Sequence, residues 1–225
     1  MNIVKEAFKQ SLPGGMAYFF TGIVYALLFI KHGYPAWLCP FFGFFIYAGA
    51  VQFLALTLFA IGAPLGVIAL SVFPLAIRNA FYGLTMLERY QTAGWFHKGY
   101  LAQSLVDATY STLLTGPRFA QKEDIRYCTY LSLFIQFEWI LGIIAGVVLN
   151  CCIAMPPRLE FCLTAFFAAS TLEMMLKRFD IRLIAIAVTS LMFGFVLMPS
   201  HLFLVSICLA LIGCSLLPEK QKELV

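Results

Sequence analysis

Eight apolar runs, each close to the length that crosses a bilayer, fill almost all of this 225-residue chain: about 12–31, 36–60, 64–86, 98–117, 126–149, 159–177, 180–198 and 200–217. In hydrocarbon no water can satisfy a backbone N–H or C=O, so runs of this length fold as α-helices. Charged residues are 12% of the chain and mean hydropathy is +0.89, where a soluble domain carries roughly 25% charged residues. The expected fold is all-α: a polytopic helical bundle of about eight transmembrane helices, some discontinuous. The count falls to seven if the last two runs, parted only by MPSH, are a re-entrant pair. Nothing between the runs is long enough to fold alone, so residues 1–225 read as one membrane domain.

The fourth run is the weakest, because Gln103, Ser104, Asp107 and Tyr110 interrupt it. The first run begins near Lys5 and Lys9 but is too long for a signal peptide's apolar core and lacks a small-residue cleavage site, so it reads as an uncleaved span. Seven cysteines at 39, 128, 151, 152, 162, 208 and 214 show neither CxxC nor Cys/His ligand spacing, which gives no disulfide framework and no zinc site. The net charge of +4 contains no basic run of the kind that binds nucleic acid.

Eight crossings would place both termini on one side. That side would hold Lys5, Lys9, Arg118, Lys122, Arg126, Lys177, Arg178, Arg182, Lys220 and Lys222, and the other would hold Lys31, Arg89, Lys98 and Arg158. The positive-inside rule then makes the termini cytoplasmic. One cation belongs to neither side: Arg78, inside the third run.

A central arginine costs on the order of 2.5–3.5 kcal/mol on insertion scales, so it faces a cavity or a partner. Arg78 and Tyr82 share a helix face, Asn79 flanks it, and Pro74 and Gly83 bracket it. A helix broken there would offer an anion both a guanidinium and free backbone groups; snorkelling to the interface is the structural alternative. Asp107 shares a stripe with Gln103, Tyr110 and Ser111 that suits a water-lined cavity. Glu138 is followed at four-residue steps by Gly142 and Gly146, a pattern that equally suits close helix packing. Glu173 near a helix end reads as structural. Whether Asp107 or Glu138 pairs with Arg78 is left open by spacing alone. Gln52, on a face with Ala48 and Ala55, can bond a ligand or a neighbouring helix. Pro13, Gly14 and Gly15 discourage a regular helix, and exposed amides there would suit a carboxylate. No internal repeat is visible.

Catalytic constellations are missing. His32, His97 and His201 fall in expected loops, and no H-E-x-x-H, Walker loop or closely spaced carboxylate pair occurs, which argues against an enzyme and implies no metal or cofactor.

IYAGAVQF (46–53) and RNAFYG (78–83) resemble the AzlC family, large subunits of two-component branched-chain amino acid exporters. LPGGMAY (12–18), VDAT (106–109), the W-x-x-G of Trp139 and Gly142, and LEFCLTAFF (159–167) follow in the family's order. The chain departs from the family pattern at Ala76, Asn79, Ala108, Val51 and Phe20. The resemblance implies a single transporter domain in the bacterial inner membrane that exports small hydrophobic amino acids, proton-coupled and partnered by a small AzlD-like membrane subunit. It points to Arg78, Asn79, Tyr82, Asp107, Gln52 and Glu138 for substrate binding or coupling. Two rivals stand beside it. RNAFYG resembles the half-helix boxes of aquaporin-like pores, which suggests a channel for small neutral solutes, although no second such box occurs. The other rival is a non-transporting assembly subunit.

Overall fold

The computed structural model describes residues 3–152, 181–197 and, near the C-terminus, 205–206, 209–210 and 212–213. The expected spans at 159–177 and most of 200–217, together with Glu173 and His201, lie outside them. All regular structure among the described residues is helical. The helices are α1 (Ile3–Lys31), α2 (Leu38–Ile46), α3 (Gly49–Ala60), α4 (Leu65–Tyr90), α5 (Trp95–Gln103), α6 (Asp107–Thr115), α7 (Gln121–Cys152) and α8 (Ile181–Leu197). Three of them, α1, α4 and α7, are long and apolar enough to cross a membrane.

The chain divides into two compact units. One comprises Met1–Ala63 and Leu75–Phe166, and the other Pro64–Pro74 and Phe167–Val225. In the second unit, Gly213 sits so close to α8 that a Cβ on it would lie 2.7 Å from Cγ2 of Ile186. The first unit contains α1 to α3, the larger part of α4, and α5 to α7.

Its spine is the pair α1 and α7, which run parallel. Phe8 packs edge-on against Phe134 with ring centroids 5.3 Å apart. Further along, Gly15 faces Glu138, Gly142 faces the carbonyl of Phe19, and Gly146 faces that of Ile23. The backbones meet through these glycines: a Cβ on Gly22 would sit 2.7 Å from the Trp139 carbonyl oxygen, and one on Gly146 2.6 Å from that of Ile23. Where lipid is as apolar as leucine, close backbone approach of small residues is what holds helices together. The Gly142–Gly146 step expected to be a packing stripe is one.

The expected breaks at Pro13, Gly14 and Gly15, and at Pro74 and Gly83, do not occur. Both α1 and α4 continue through their prolines. A proline removes one bond from a long ladder that flanking turns and neighbouring helices sustain, and in α1 the two glycines serve as a notch instead.

Breaks occur elsewhere, within the two segments expected to span at 36–60 and 98–117. The first breaks between α2 and α3 at Tyr47, whose φ of 31° and ψ of 53° are left-handed. The second breaks between α5 and α6 at residues 104–106. Each segment doubles back at its break.

Side-chain contacts fix the directions. Along α4 and α6, Arg78 meets Asp107, Tyr82 stacks on Tyr110, and Arg89 reaches the carbonyls of Leu113 and Pro117. The two helices are therefore parallel. Only residues 91–94 join α4 to α5, a link of at most roughly 14 Å, so α5 starts where α4 ended and α6 returns there.

The first segment does the same from the opposite end. Phe42 lies by Phe29, Tyr47 by Tyr18, and Phe53 by Tyr25, at 6.1, 6.4 and 5.4 Å between ring centroids. The chain thus descends along α1 to the break and climbs back.

Two re-entrant hairpins therefore enter from opposite ends and touch at their tips, where Gln103 Nε2 donates to the Phe45 carbonyl at 3.2 Å. A helix followed by a hairpin (α1 with α2–α3) recurs inverted as α4 with α5–α6, an arrangement the residues did not reveal. Broken helix ends inside a membrane leave carbonyls without water. In α2, Gln52 Nε2 donates to Phe42, Trp139 Nε1 to Gly43 and Gln103 to Phe45.

The hairpin topology moves two cations. Arg89 and Lys98, expected opposite the N-terminus, lie at its end of the bundle. That end now carries Lys5, Lys9, Arg89, Lys98, Arg118, Lys122 and Arg126, against Lys31 at the other end among the described residues of this unit. His97 likewise lies in α5 rather than in a loop.

Candidate functional site

Arg78 is presented by α4, and Asp107 is the first residue of α6. They form an ion pair, Nη2 to Oδ2, of 2.8 Å, with side chains 42% and 45% exposed. This settles the question left open by spacing: Arg78 pairs with Asp107. Eleven residues separate Arg78 from Arg89, so the pair sits on the order of 16 Å inward from that end of α4. The carboxylate at the first turn of α6 is favoured by the helix dipole, and Val106 before it is extended and supplies no side-chain cap.

The pair is incompletely bonded. Nε of Arg78 and Oδ1 of Asp107 are buried atoms without a hydrogen-bond partner among the described residues. One flank is aromatic: Tyr82 and Tyr110 stack with centroids 4.2 Å apart and planes 10° from parallel, and the Arg78 guanidinium lies 5.9 Å from the Tyr82 ring centre. Thr85 Oγ1 donates to the Tyr110 hydroxyl at 3.3 Å. Asn79 is half-buried beside Arg78. The expected stripe is split, because Gln103 ends α5 and Asp107 begins α6 on the far side of the break.

Glu138 stands near the middle of α7, one residue before Trp139. Its carboxylate fills the notch at Gly15, where any Cβ would overlap it, and Oε2 is buried without a partner among the described residues. The next glycine, Gly14, abuts Ala108 of α6, with 3.3 Å between a Cβ there and that of Ala108. The two glycines thus bring α6 and Glu138 onto neighbouring steps of α1. Gln52 is buried and serves the α2 carbonyl rather than facing the ion pair.

Residues the sequence reading missed complete the picture. Arg89 is gripped by Asp124 through two bonds of 2.7 and 2.8 Å, with side chains only 6% and 9% exposed. Arg89 also donates to the carbonyls of Leu113 and Pro117, and Asp124 accepts from the Phe119 amide. This knot ties the end of α6 to α4 and α7. Its sequence signal, an arginine and an aspartate near run boundaries, is indistinguishable from ordinary interfacial charge. Tyr47 and Thr109 are the other omissions, both fully buried, with hydroxyls that lack a hydrogen-bond partner among the described residues.

Comparison with known proteins gives the following. The family described as AzlC protein matches residues 13–153. The chain is 30% identical over 173 residues to an uncharacterized membrane protein of Helicobacter pylori, covering 75% of this chain and 74% of that one. It is 27% identical over 176 residues to the branched-chain amino acid transport protein AzlC of Bacillus subtilis, covering 77% and 68%. It is 26% identical over 148 residues to the inner membrane protein YgaZ of Escherichia coli, covering 63% and 58%. No solved structure matches significantly.

Proposed function

The chain belongs to the AzlC family, and from that premise we propose that it is a secondary transporter that exports branched-chain or other small hydrophobic amino acids across the bacterial inner membrane. The B. subtilis relative carries the name of a branched-chain amino acid transport protein. The observation that carries the reading is the Arg78–Asp107 pair, half-exposed at mid-depth with one unused group on each partner. A zwitterion brings a carboxylate and an ammonium on one carbon. It can part such a pair, giving its carboxylate to the guanidinium and taking the Asp107 carboxylate for its ammonium. The stacked Tyr82 and Tyr110 offer an apolar flank for the side chain.

The transporter is oriented with its N-terminus in the cytoplasm, supported by the seven basic residues at that end of the first unit. Export is driven by proton antiport, and a small AzlD-like membrane subunit completes it, as the family resemblance implies. A helix and hairpin repeated in inverted form is a recurring basis of alternating access.

A channel is the second reading, favoured by two hairpins that meet from opposite ends. One experiment separates them: counterflow of labelled leucine, valine and methionine into liposomes holding the chain, with and without an AzlD-like subunit. Saturable exchange against internal unlabelled amino acid, lost in Arg78→Ala and Asp107→Asn at equal protein level, supports the carrier. Flux linear in concentration supports the pore. Unchanged exchange in both variants would remove the ion pair from the mechanism.

A further inference from the structure

Among the buried oxygens around the hairpin tips without a hydrogen-bond partner in the described residues are the hydroxyls of Tyr47 and Thr109 and Oε2 of Glu138. Tyr47 is 1% exposed and Thr109 is 0% exposed. They come from three different elements, the α2–α3 break, the first turn of α6, and α7. The hydroxyl of Thr109 and the carboxylate of Glu138 both lie within interaction range of Tyr47. Tyr47 itself packs on Tyr18, which packs in turn on Trp139 beside Glu138.

Two features mark the cluster as more than a packing accident. Tyr47 holds a left-handed φ of 31°, which is strained for an aromatic residue and persists where surroundings over-determine it. The strain holds the Tyr47 hydroxyl at this buried junction beside Thr109 and Glu138. Secondly, a carboxylate in the membrane interior is expensive unless a positive charge accompanies it, and no basic side chain of the described residues is within ion-pair distance of Glu138. Arg78, the nearby cation, is already engaged by Asp107. The side-chain amides of Gln52 and Gln103 and the Trp139 indole point at α2 carbonyls instead, and the Tyr100 hydroxyl donates to Gln136. That leaves the Glu138 carboxylate, whose charge calls for a cation, beside two hydroxyl oxygens able to help hold one.

We propose that the meeting point of the two hairpins is a binding site for a small monovalent cation, with the Glu138 carboxylate supplying the charge and the Tyr47 and Thr109 hydroxyls the neutral oxygens. A sodium ion would take all three oxygens as ligands, whereas a proton would neutralise the Glu138 carboxylate and leave the hydroxyls as its hydrogen-bond partners. The cation draws together one group from each hairpin and one from α7, so its occupancy ties the tips to the spine. As a coupling site for transport it rests on the carrier reading above; as a cation site it does not.

The test needs no transport. Trp139 adjoins Glu138 in sequence, and the other two tryptophans, Trp37 and Trp95, are exposed. In the Trp37→Phe/Trp95→Phe full-length chain in nanodiscs, Trp139 is the sole reporter. Its emission is followed while sodium chloride replaces choline chloride at fixed pH, and separately during a pH titration in choline alone. A saturable change is expected in one arm, and that arm names the cation. Glu138→Gln, the same shape without charge, abolishes it. In the sodium arm Tyr47→Phe and Thr109→Val each weaken the midpoint by about tenfold, as loss of one oxygen ligand would; in the pH arm each shifts the midpoint, because each removes a hydrogen bond to the carboxyl group.

Other titratable or charged groups face this junction: Tyr18 from α1, Tyr100 from α5 and the Arg78–Asp107 pair. A pH response that survives Glu138→Gln and vanishes in Asp107→Asn would belong to that ion pair and overturn the proposal. So would the absence of a saturable response in either arm, or a sodium response unchanged in Glu138→Gln. A clear cation response together with no amino acid counterflow would keep the site and remove the carrier reading.

Discussion

Asp124→Asn should destabilise the protein while Arg89 is present and stabilise it once Arg89 is gone. Arg89 has two partners besides Asp124, the carbonyls of Leu113 and Pro117, whereas Asp124 has one, the Phe119 amide. Arg89→Met strands a buried carboxylate, and breaking a buried pair in this way costs about 3–5 kcal/mol. Asp124→Asn leaves Arg89 solvated by two carbonyls and still able to donate to the new amide oxygen, so the loss is nearer 1–3 kcal/mol. At roughly 2–4 °C per kcal/mol for a chain of this size, Arg89→Met melts about 6–20 °C below wild type. The decisive variant is the double one. Once Arg89 is gone, Asp124→Asn removes the stranded charge, so Arg89→Met/Asp124→Asn should melt above Arg89→Met alone. The assay is thermal unfolding in a fixed detergent, read by the loss of the monodisperse peak. Simple addition of the two losses, or a double variant less stable than Arg89→Met, would refute the reasoning, and with it the claim that this pair anchors the second hairpin.

Three further outcomes follow from the fold. In a cysteine-free background, Thr92→Cys and Ala120→Cys should label from the side of the N-terminus and His32→Cys and Ala63→Cys from the other; opposite labelling of Thr92→Cys and Ala120→Cys would mean that residues 98–117 cross the membrane. Gly142→Ala drives a methyl into the Phe19 carbonyl and should cost about 1–3 kcal/mol by melting, while Gly99→Ala, with nothing within 4 Å among the described residues, should lose nothing. Trp139→Phe leaves the Gly43 carbonyl without its indole donor and should destabilise by about 1–3 kcal/mol, more than Trp95→Phe at an exposed site; equal melting of the two would show that the capping bond contributes little.

Much of this was readable from residue types. Apolar run length gave an all-helical membrane chain, and Arg78 and Asp107 stood out because each is costly in lipid. The stripe from Glu138 through Gly146 suited a close helix contact, and α1 is the helix that makes it. Breaks were harder, and the signals that punctuate soluble helices misled. Pro13 and Pro74 sit inside unbroken helices, while the break at Tyr47 falls on an aromatic residue with no local breaker beyond Gly49. What permits it lies elsewhere in the chain, in Gln52, Gln103 and Trp139, which supply the bonds that the broken end lacks. Hydropathy also cannot tell a crossing of 20 apolar residues from a descent and return of the same length, since both bury the same side chains. Arg89 was therefore placed on the wrong side, and only its bonds to Asp124 and Pro117 correct it.

The indole bond from Trp139 to Gly43 joins residues 96 positions apart. At roughly 5–20 residues per second of synthesis, on the order of 5–20 s pass between the emergence of α2 and the arrival of its cap. During that interval the first hairpin has no mate for the Gly43 carbonyl, and the second hairpin, at residues 95–115, is made only partway through it. The first hairpin cannot settle in the bilayer core on its own, so its burial must wait at the membrane surface or within the insertion machinery until α7 arrives. Biogenesis of this chain is thus ordered from its middle outward, with the third long helix licensing the depth of a segment made well before it.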